Sequence, residues 1–404
     1  NYGVFGLRFG GTGTPLGQEF RVNTYTTGFQ RGSSVASDAG GGFVVVWRSY
    51  AQNDPGYGLF GQRFGSTGAP LGPEFRVNTY TTGSPSASSV TSDSIGNFVV
   101  AWESFGQDGS NRGVFGQRYG SGGEPLGPEF RVNTYTTDIQ RSPSLASDSI
   151  GNFVVVWESL GQDGSNLGVF GQRYDSAGAP LGPEFQVNTF TTSSQSYPSV
   201  ASDSDGSFVV AWQSLGQDGS NLGIFGQRYD SAGAPLGTEF LANTHTTNRQ
   251  TTPSVASCSG GRFAVVWSSG FQDGSSDGVF GQRFCPGLAS VTISVNGSTT
   301  VCTTSTGGTA TVSDSGGGAG THQWAFRTMP GIAPSPISGQ TATSYVIDGA
   351  DFPGAGVYSL LCSTNPECGL PATSNGITVF VTDDPSGPVV TSPNALTTTQ
   401  TLCE

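Results

Sequence analysis

The residues best suited to chemistry sit in a short string that recurs. Gly-Gln-Asp-Gly-Ser stands at Gly106, Gly161 and Gly216, and Phe-Gln-Asp-Gly-Ser at Phe271. A side-chain amide beside a carboxylate gives the donor and acceptor set that sugar hydroxyls need, and Phe105 and Phe271 add an apolar face for the sugar ring. Gln107, Asp108, Gln162, Asp163, Gln217, Asp218, Gln272 and Asp273 are therefore candidate ligand-binding residues on a ring of loops, with glycans as the partner. The same Asp-Gly pair is what a tight turn requires of its backbone, so a turn role competes with recognition.

A second set consists of carboxylates. Asp148 with Asp175, and Asp203 with Asp205 and Asp230, are expected to meet at the opposite edge, where carboxylates plus backbone carbonyls suit a hard cation. Structural calcium is the ion this predicts, with no other cofactor. The pattern is incomplete, because Asp38 answers to Gly65 and Asp93 to Gly120. One repeat later the positions of Asp203 and Asp230 hold Cys258 and Cys285. These are expected to bond to each other and to fasten the last repeat by roughly 3 kcal/mol. Six cysteines with no Cys-x-x-Cys and only His245 and His322 beside them point to disulfides in an oxidising compartment rather than to zinc. Asn296-Gly-Ser298 is a glycosylation sequon.

Catalytic signatures are sparse. The chain has no Gly-x-Ser-x-Gly, phosphate loop or His-containing triad, and the unrepeated acids Glu124, Asp138 and Asp277 are scattered. Glycoside hydrolysis needs two carboxyl groups in unlike environments, whereas near-identical repeats supply near-identical ones. The sequence therefore predicts that the chain is not an enzyme.

These residues are positioned by a 55-residue period. Gly-Val-Phe-Gly at Gly3 returns with small changes at Gly58, Gly113, Gly168, Gly223 and Gly278. Glu-Phe-Arg-Val-Asn-Thr starts at Glu19, Glu74 and Glu129, with variants at Glu184 and Glu239, and Phe-Val-Val-Val-Trp at Phe43 and Phe153, with variants at Phe98, Phe208 and Phe263. One unit reads as four strands, Ser199–Ser202, Phe208–Ser214, Gly223–Tyr229 and Glu239–Asn243, separated by Gly and Asp. The unbroken apolar run at Phe208 marks a strand buried on both faces. Residues 1–286 thus resemble a β-propeller of bacterial secreted proteins, in which neighbouring blades bury each other. Five blades are expected, six or more being the alternative. Trp47, Trp102, Trp157, Trp212 and Trp267 read as core. The Arg of Gly-Gln-Arg (Arg63, Arg118, Arg173, Arg228, Arg283) is expected to pair across the blade with Glu74, Glu129 and Glu184.

The period stops at Cys285-Pro286-Gly287, and 287–383 is richer in Thr, Ser and Val. Thr300-Val-Cys302, Gly307-Gly-Thr-Ala-Thr-Val312, Gln323-Trp324, Gly354-Ala-Gly-Val-Tyr358 and Glu367-Cys-Gly369 make this stretch similar to the Ig-like and PKD-like modules of bacterial surface and adhesin proteins. That resemblance implies a β-sandwich and a Cys302–Cys368 disulfide, an antibody-like register selecting Cys362 instead. Residues 384–404 repeat the opening of the module. They are read as the start of a second module, as a tail pairing Cys403 with Cys362, or as a strand donated to another molecule. Donation would make the protein a homo-oligomer or polymer through its C-terminal segment.

Charge excludes one class of partner. No Lys is present, the 16 basic residues are Arg, and the formal net charge is −13, which repels nucleic-acid phosphate. No apolar run of about 18 residues could span a bilayer. The sequence is read as a secreted, extracellular or cell-surface structural or adhesive protein, a subunit of a filamentous assembly, with a multivalent lectin as the alternative.

Overall fold

The computed structural model describes residues 2–52, 55–258 and 261–284 fully and, between 291 and 382, the course of individual strands. The chain divides into two compact units, 1–282 and 283–404. All described elements are β-strands.

The first unit is a run of antiparallel sheets. Strands β1 (Phe5–Gly6) and β2 (Phe20–Arg21) form a two-stranded sheet. Sheet A contains β3 (Gln30–Ser37), β4 (Phe43–Tyr50), β5 (Tyr57–Phe64) and β6 (Phe75–Arg76). Sheet B contains β7 (Ser86–Ser92), β8 (Phe98–Phe105), β9 (Arg112–Tyr119) and β10 (Phe130–Arg131). Sheet C contains β11 (Gln140–Ser147), β12 (Phe153–Leu160), β13 (Leu167–Tyr174) and β14 (Phe185–Gln186). Sheet D contains β15 (Gln195–Ser202), β16 (Phe208–Leu215), β17 (Leu222–Tyr229) and β18 (Phe240–Leu241). Sheet E has three described strands, β19 (Gln250–Cys258), β20 (Arg262–Gly270) and β21 (Asp277–Phe284). Repeated four-stranded meanders of this kind fit a β-propeller.

Burial explains the period. Between sheets C and D, Ala146, Val154, Val156, Val169 and Val187 pack against Val200, Phe208, Val210, Trp212, Phe225 and Tyr229. The same set recurs at the A–B and B–C junctions. Each sheet therefore has a forward aliphatic face and a backward aromatic face, and neither is buried without a neighbour. Trp47, Trp102, Trp157 and Trp212 are wholly buried.

Polar staples tie successive sheets together on both edges. Arg63 donates to the carbonyls of Ser121 and Gly122 in the next sheet, Arg118 to Ser176 and Ala177, and Arg173 to Ser231 and Ala232. Opposite, Glu129 accepts from the Thr79 amide at 2.8 Å, and Glu184 and Glu239 do the same for Thr134 and Thr189. The expected pairing of Arg63, Arg118 and Arg173 with Glu74, Glu129 and Glu184 is thus not found among the described residues. The two groups project from different ends of the sheet, and each is consumed by a junction between repeats.

In the second unit, β22 (Val291–Asn296), β23 (Thr300–Cys302), β24 (Thr306–Asp314), β25 (Thr321–Thr328), β26 (Ser335–Pro336), β27 (Ser344–Asp348), β28 (Gly356–Asn365), β29 (Ala372–Thr373) and β30 (Ile377–Thr382) make two sheets. Their orders are β22-β24-β27 and β23-β30-β28-β25-β26, with β29 paired to β28. The side chains of Cys302 and Cys368, residue Cys285 and the tail from 383 onward lie outside the described residues. Cys258 is exposed and bonded to no other described cysteine.

Candidate functional site

The Gln-Asp-Gly-Ser loops are turned inward. Gln107, Gln162 and Gln217 donate to Glu129, Glu184 and Glu239, the acids of the Thr staples. Asp108, Asp163 and Asp218 each accept a backbone amide from the Ser two residues on, at 3.0 Å. The remaining acceptors, Gln Oε1 and Asp Oδ2 in these three loops and Gln272 Oε1, are buried without a partner among the described residues. The geometry is that of a turn, as Asp273 with the Ser275 amide also shows.

The carboxylates expected to hold calcium are also dispersed among their own turns. Asp148 accepts the Ile150 and Asn152 amides at 3.0 and 2.9 Å and the Asn152 side chain at 2.7 Å. Asp175 and Asp230 cap Ala179 and Ala234 at 2.7 and 2.8 Å. No group of three or more His, Cys, Asp or Glu side chains is gathered among the described residues. Only Asp203 and Asp205 remain as a close pair. Ser207 stands where Asn97 and Asn152 stand in sheets B and C, so Asp203 lacks the amide that Asp93 and Asp148 receive. Burial, and then the neighbouring Asp205, push Asp203 up to about 6, and the hydrogen bond with Asp203 holds Asp205 below the usual range.

Chemistry-bearing groups converge where the repeats differ. In each sheet the first strand bulges near its start: the register shifts after Arg31, Ser86, Arg141, Ser196 and Thr251. Opposite those residues on the second strand stand Arg48, Glu103, Glu158, Gln213 and Ser268. The bulge holds Ala87, Ser142, Tyr197 and Thr252 at φ of 48°, 54°, 54° and 49°. A left-handed backbone at a non-glycine residue costs energy, which marks the bulge as imposed by its surroundings. Its effect is to aim the N–H at the preceding sheet. Ser142 donates to Glu103 Oε2 at 3.2 Å, Tyr197 to Glu158 Oε2 at 2.8 Å, and Thr252 to Gln213 Oε1 at 3.0 Å.

Around these contacts the first three strands of successive sheets bring together Arg48, Glu103, Arg112, Arg141, Glu158 and Tyr197. Glu103 accepts from Ser86 Oγ at 2.6 Å and pairs with Arg112, and Glu158 pairs with Arg141. Burial pulls the Arg141 guanidinium down, but Glu158 more than offsets it and leaves it raised. The Arg48 guanidinium lies 3.5 Å from the centre of the Tyr57 ring, and burial lowers its affinity for its proton. Ser142 is the shared element, its amide on Glu103 and its hydroxyl 3.4 Å from Glu158 Oε1. Two carboxylates from neighbouring sheets thus touch one serine.

Sequence reasoning missed Glu103 and Glu158. It treated the repeats as equivalent, yet the position opposite the bulge reads Arg48, Glu103, Glu158, Gln213, Ser268 while the strand around it hardly changes. That divergence inside an otherwise regular repeat was the available signal.

No family model matches the chain, and no curated protein does. Solved structures similar in fold include an alpha-L-arabinanase of Penicillium chrysogenum complexed with arabinobiose, at 14% identity over 66% of this chain and 81% of that one, TM-score 0.43. A GH93 alpha-L-arabinofuranosidase of Fusarium graminearum, complexed with arabinobiose, matches at 10% identity over 62% and 80%, TM-score 0.43. A GH43 protein of Bacillus licheniformis matches at 10% over 88% and 90%, TM-score 0.35. These neighbours are carbohydrate-active enzymes. Two expectations from the sequence, a non-enzymatic structural or adhesive protein and a chain that is not an enzyme, are corrected by that finding and are not retained.

Proposed function

We propose that the chain is a carbohydrate-active enzyme that hydrolyses glycosidic bonds, with Glu103 and Glu158 as its carboxylate pair. The observation that carries this reading is their joint contact with Ser142. Contacts of 3.2 and 3.4 Å across one serine cap the gap between the carboxyl groups at about 10 Å, and the roughly 5–9.5 Å separations used by retaining and inverting pairs lie under that ceiling. One carboxyl group would protonate the leaving oxygen while the other attacks the sugar or activates water. Arg48, Arg112 and Arg141 supply planar donors for hydroxyl groups, and exposed Tyr197 an apolar face for a sugar ring. Unlike partners, Ser86 with Arg112 for Glu103 and Arg141 for Glu158, give the acids different environments even though the repeat is the same.

Gln213 makes the test clean. It accepts the next bulge amide and donates its own Nε2 to Ser196 Oγ, without a charge, so Glu103→Gln and Glu158→Gln should keep the fold. Each is expected to lower hydrolysis of arabinobiose, xylotriose or a related oligosaccharide by about 10²–10⁴-fold. Wild-type protein inert toward such a panel, or Gln variants as fast as wild type, would reject the assignment.

Two finer readings remain proposals. The second unit is taken as an Ig-like module, supported by its two sheets and by a register that sets Trp324 opposite Cys362. An extracellular location is supported by the absence of Lys and by six cysteines.

A further inference from the structure

One internal junction departs from the rule that the others follow. In sheets C, D and E the amide of the bulge residue is taken up by the side chain opposite the bulge of the preceding sheet, Glu103, Glu158 or Gln213. Between sheets A and B the residues at those two places are Arg48 and Ala87, and Ala87 has the same left-handed backbone, with φ of 48°. A guanidinium carries donors alone, so Arg48 cannot be the acceptor that the other junctions supply. It donates instead to Ser84 Oγ at 2.9 Å and lies on the Tyr57 ring. Three further observations suit this place to an anion. Arg48 is the cross-strand partner of Arg31, whereas the same position pairs Ser86 with Glu103 in sheet B and Arg141 with Glu158 in sheet C. Like charges directly opposite on two strands repel. Arg48 Nε is buried without a partner among the described residues, and so is the hydroxyl of Ser88, which stands where the later bulges have Pro143, Pro198 and Pro253. Burial lowers the affinity of Arg48 for its proton, and the like charges of Arg31 and Arg112 add to that effect.

We propose that this junction is a subsite for the carboxylate of a uronic acid, which accepts the Ala87 amide and pairs with Arg48 much as Glu103 accepts the Ser142 amide and pairs with Arg112 one junction further on. The inference rests on the carbohydrate reading and names its substrate class, an acidic oligosaccharide. A carboxylate is specified because the repeat itself places one against the bulge amide at the next two junctions. A planar guanidinium also matches the two oxygens of a carboxylate better than it matches a lone hydroxyl. Charge favours the same ligand. The chain as a whole is formally −13, yet here the four guanidinium groups of Arg31, Arg48, Arg112 and Arg141 accompany the two carboxylates of Glu103 and Glu158. Such a local positive excess draws an acidic sugar toward the carboxylate pair although the rest of the surface repels it.

Galacturonate and galactose test this, because they differ in one carboxylate and neither has a glycosidic bond to cleave. In titrations of the whole chain followed by nuclear magnetic resonance, galacturonate should bind about tenfold or more tighter than galactose. Arg48→Gln should bring the two to parity. The fold should survive, since Gln213 occupies the same position in sheet D and accepts the next bulge amide there. Arg48→Glu, the residue that sheet B carries at this place, supplies the carboxylate from the chain itself and should turn the preference toward galactose. Galacturonate no tighter than galactose on the wild-type chain, or a preference that survives both substitutions, would overturn the proposal. Acetate binding as tightly as galacturonate would overturn it too, by reducing the place to an anion site with no sugar. The two readings fail separately. A protein that hydrolyses no oligosaccharide yet holds galacturonate through Arg48 would reject the carboxylate pair and keep this subsite, whereas a hydrolase indifferent to the carboxylate would do the reverse.

Discussion

Burial first, and then Asp205, which stands where sheets B and C carry Ile95 and Ile150, set the ionisation of Asp203, and Ser207 adds no side-chain amide to oppose them. In sheets B and C the equivalent Asn152 or Asn97 amide contacts the carboxylate at 2.7–2.8 Å, a bond that favours the charged form. Burial and Asp205, unopposed by such a bond, push Asp203 up to about 6. A carboxyl group whose folded value is raised holds its proton more tightly when folded. Its contribution to stability is present below about pH 4 and lost as the pH climbs through about 6. Ser207→Asn should restore the missing bond, bring Asp203 down and gain about 0.5–1.5 kcal/mol at pH 7. The gain should fade below pH 4, where the carboxyl is protonated in both proteins. Denaturant melts at the two pH values decide it, an equal difference at both pH values being the adverse result. Asp203 and Asp205 were legible in the sequence as a candidate pair, but the dispersal of the other three acids was not. Backbone amides satisfy Asp148, Asp175 and Asp230 within their own turns, and nothing in residue type announces that.

At the scale of the strand, pattern and position carry unequal information. The Phe-Val-Val-Val-Trp run predicted a strand buried on both faces, and β12 has that burial from Phe153 to Ser159. The bulge that aims Ser142 at Glu103 left no mark in composition, because a left-handed Ser or Tyr is imposed by packing rather than chosen by propensity. The Arg and Glu staples were likewise misread as pairs within a sheet, since the spacing cannot tell a neighbour across the strand from one in the next repeat. Trp157→Ala should cost about 3–5 kcal/mol through a cavity between sheets B and C, read from equilibrium unfolding. A surface-like loss would contradict its complete burial. Arg173→Ala, which frees two carbonyls of the next turn, should cost about 1–3 kcal/mol, with the strain confined to the turn at Ser231.

For the whole first unit, stability should be graded along the array rather than shared evenly. Each sheet owes its burial to its two neighbours, so energy adds up through junctions, as in other repeat proteins. Sheets B, C and D have a neighbour on both faces. Val35 of sheet A and Val266 and Val279 of sheet E are exposed, whereas their counterparts in the middle sheets are buried. Opening of the end sheets breaks one junction, whereas opening of sheet C breaks two. Hydrogen exchange should therefore be slowest for the Val154, Val155 and Val156 amides of β12 and the matching amides of β16, and fastest for β21 and β3. The order follows from burial, because β12 and β16 are buried along nearly their whole length whereas β3 and β21 are exposed along much of theirs. Protection that is uniform from β3 to β21 at low concentration would show instead that the unit unfolds as one block, and that its junctions are coupled more strongly than nearest-neighbour packing allows.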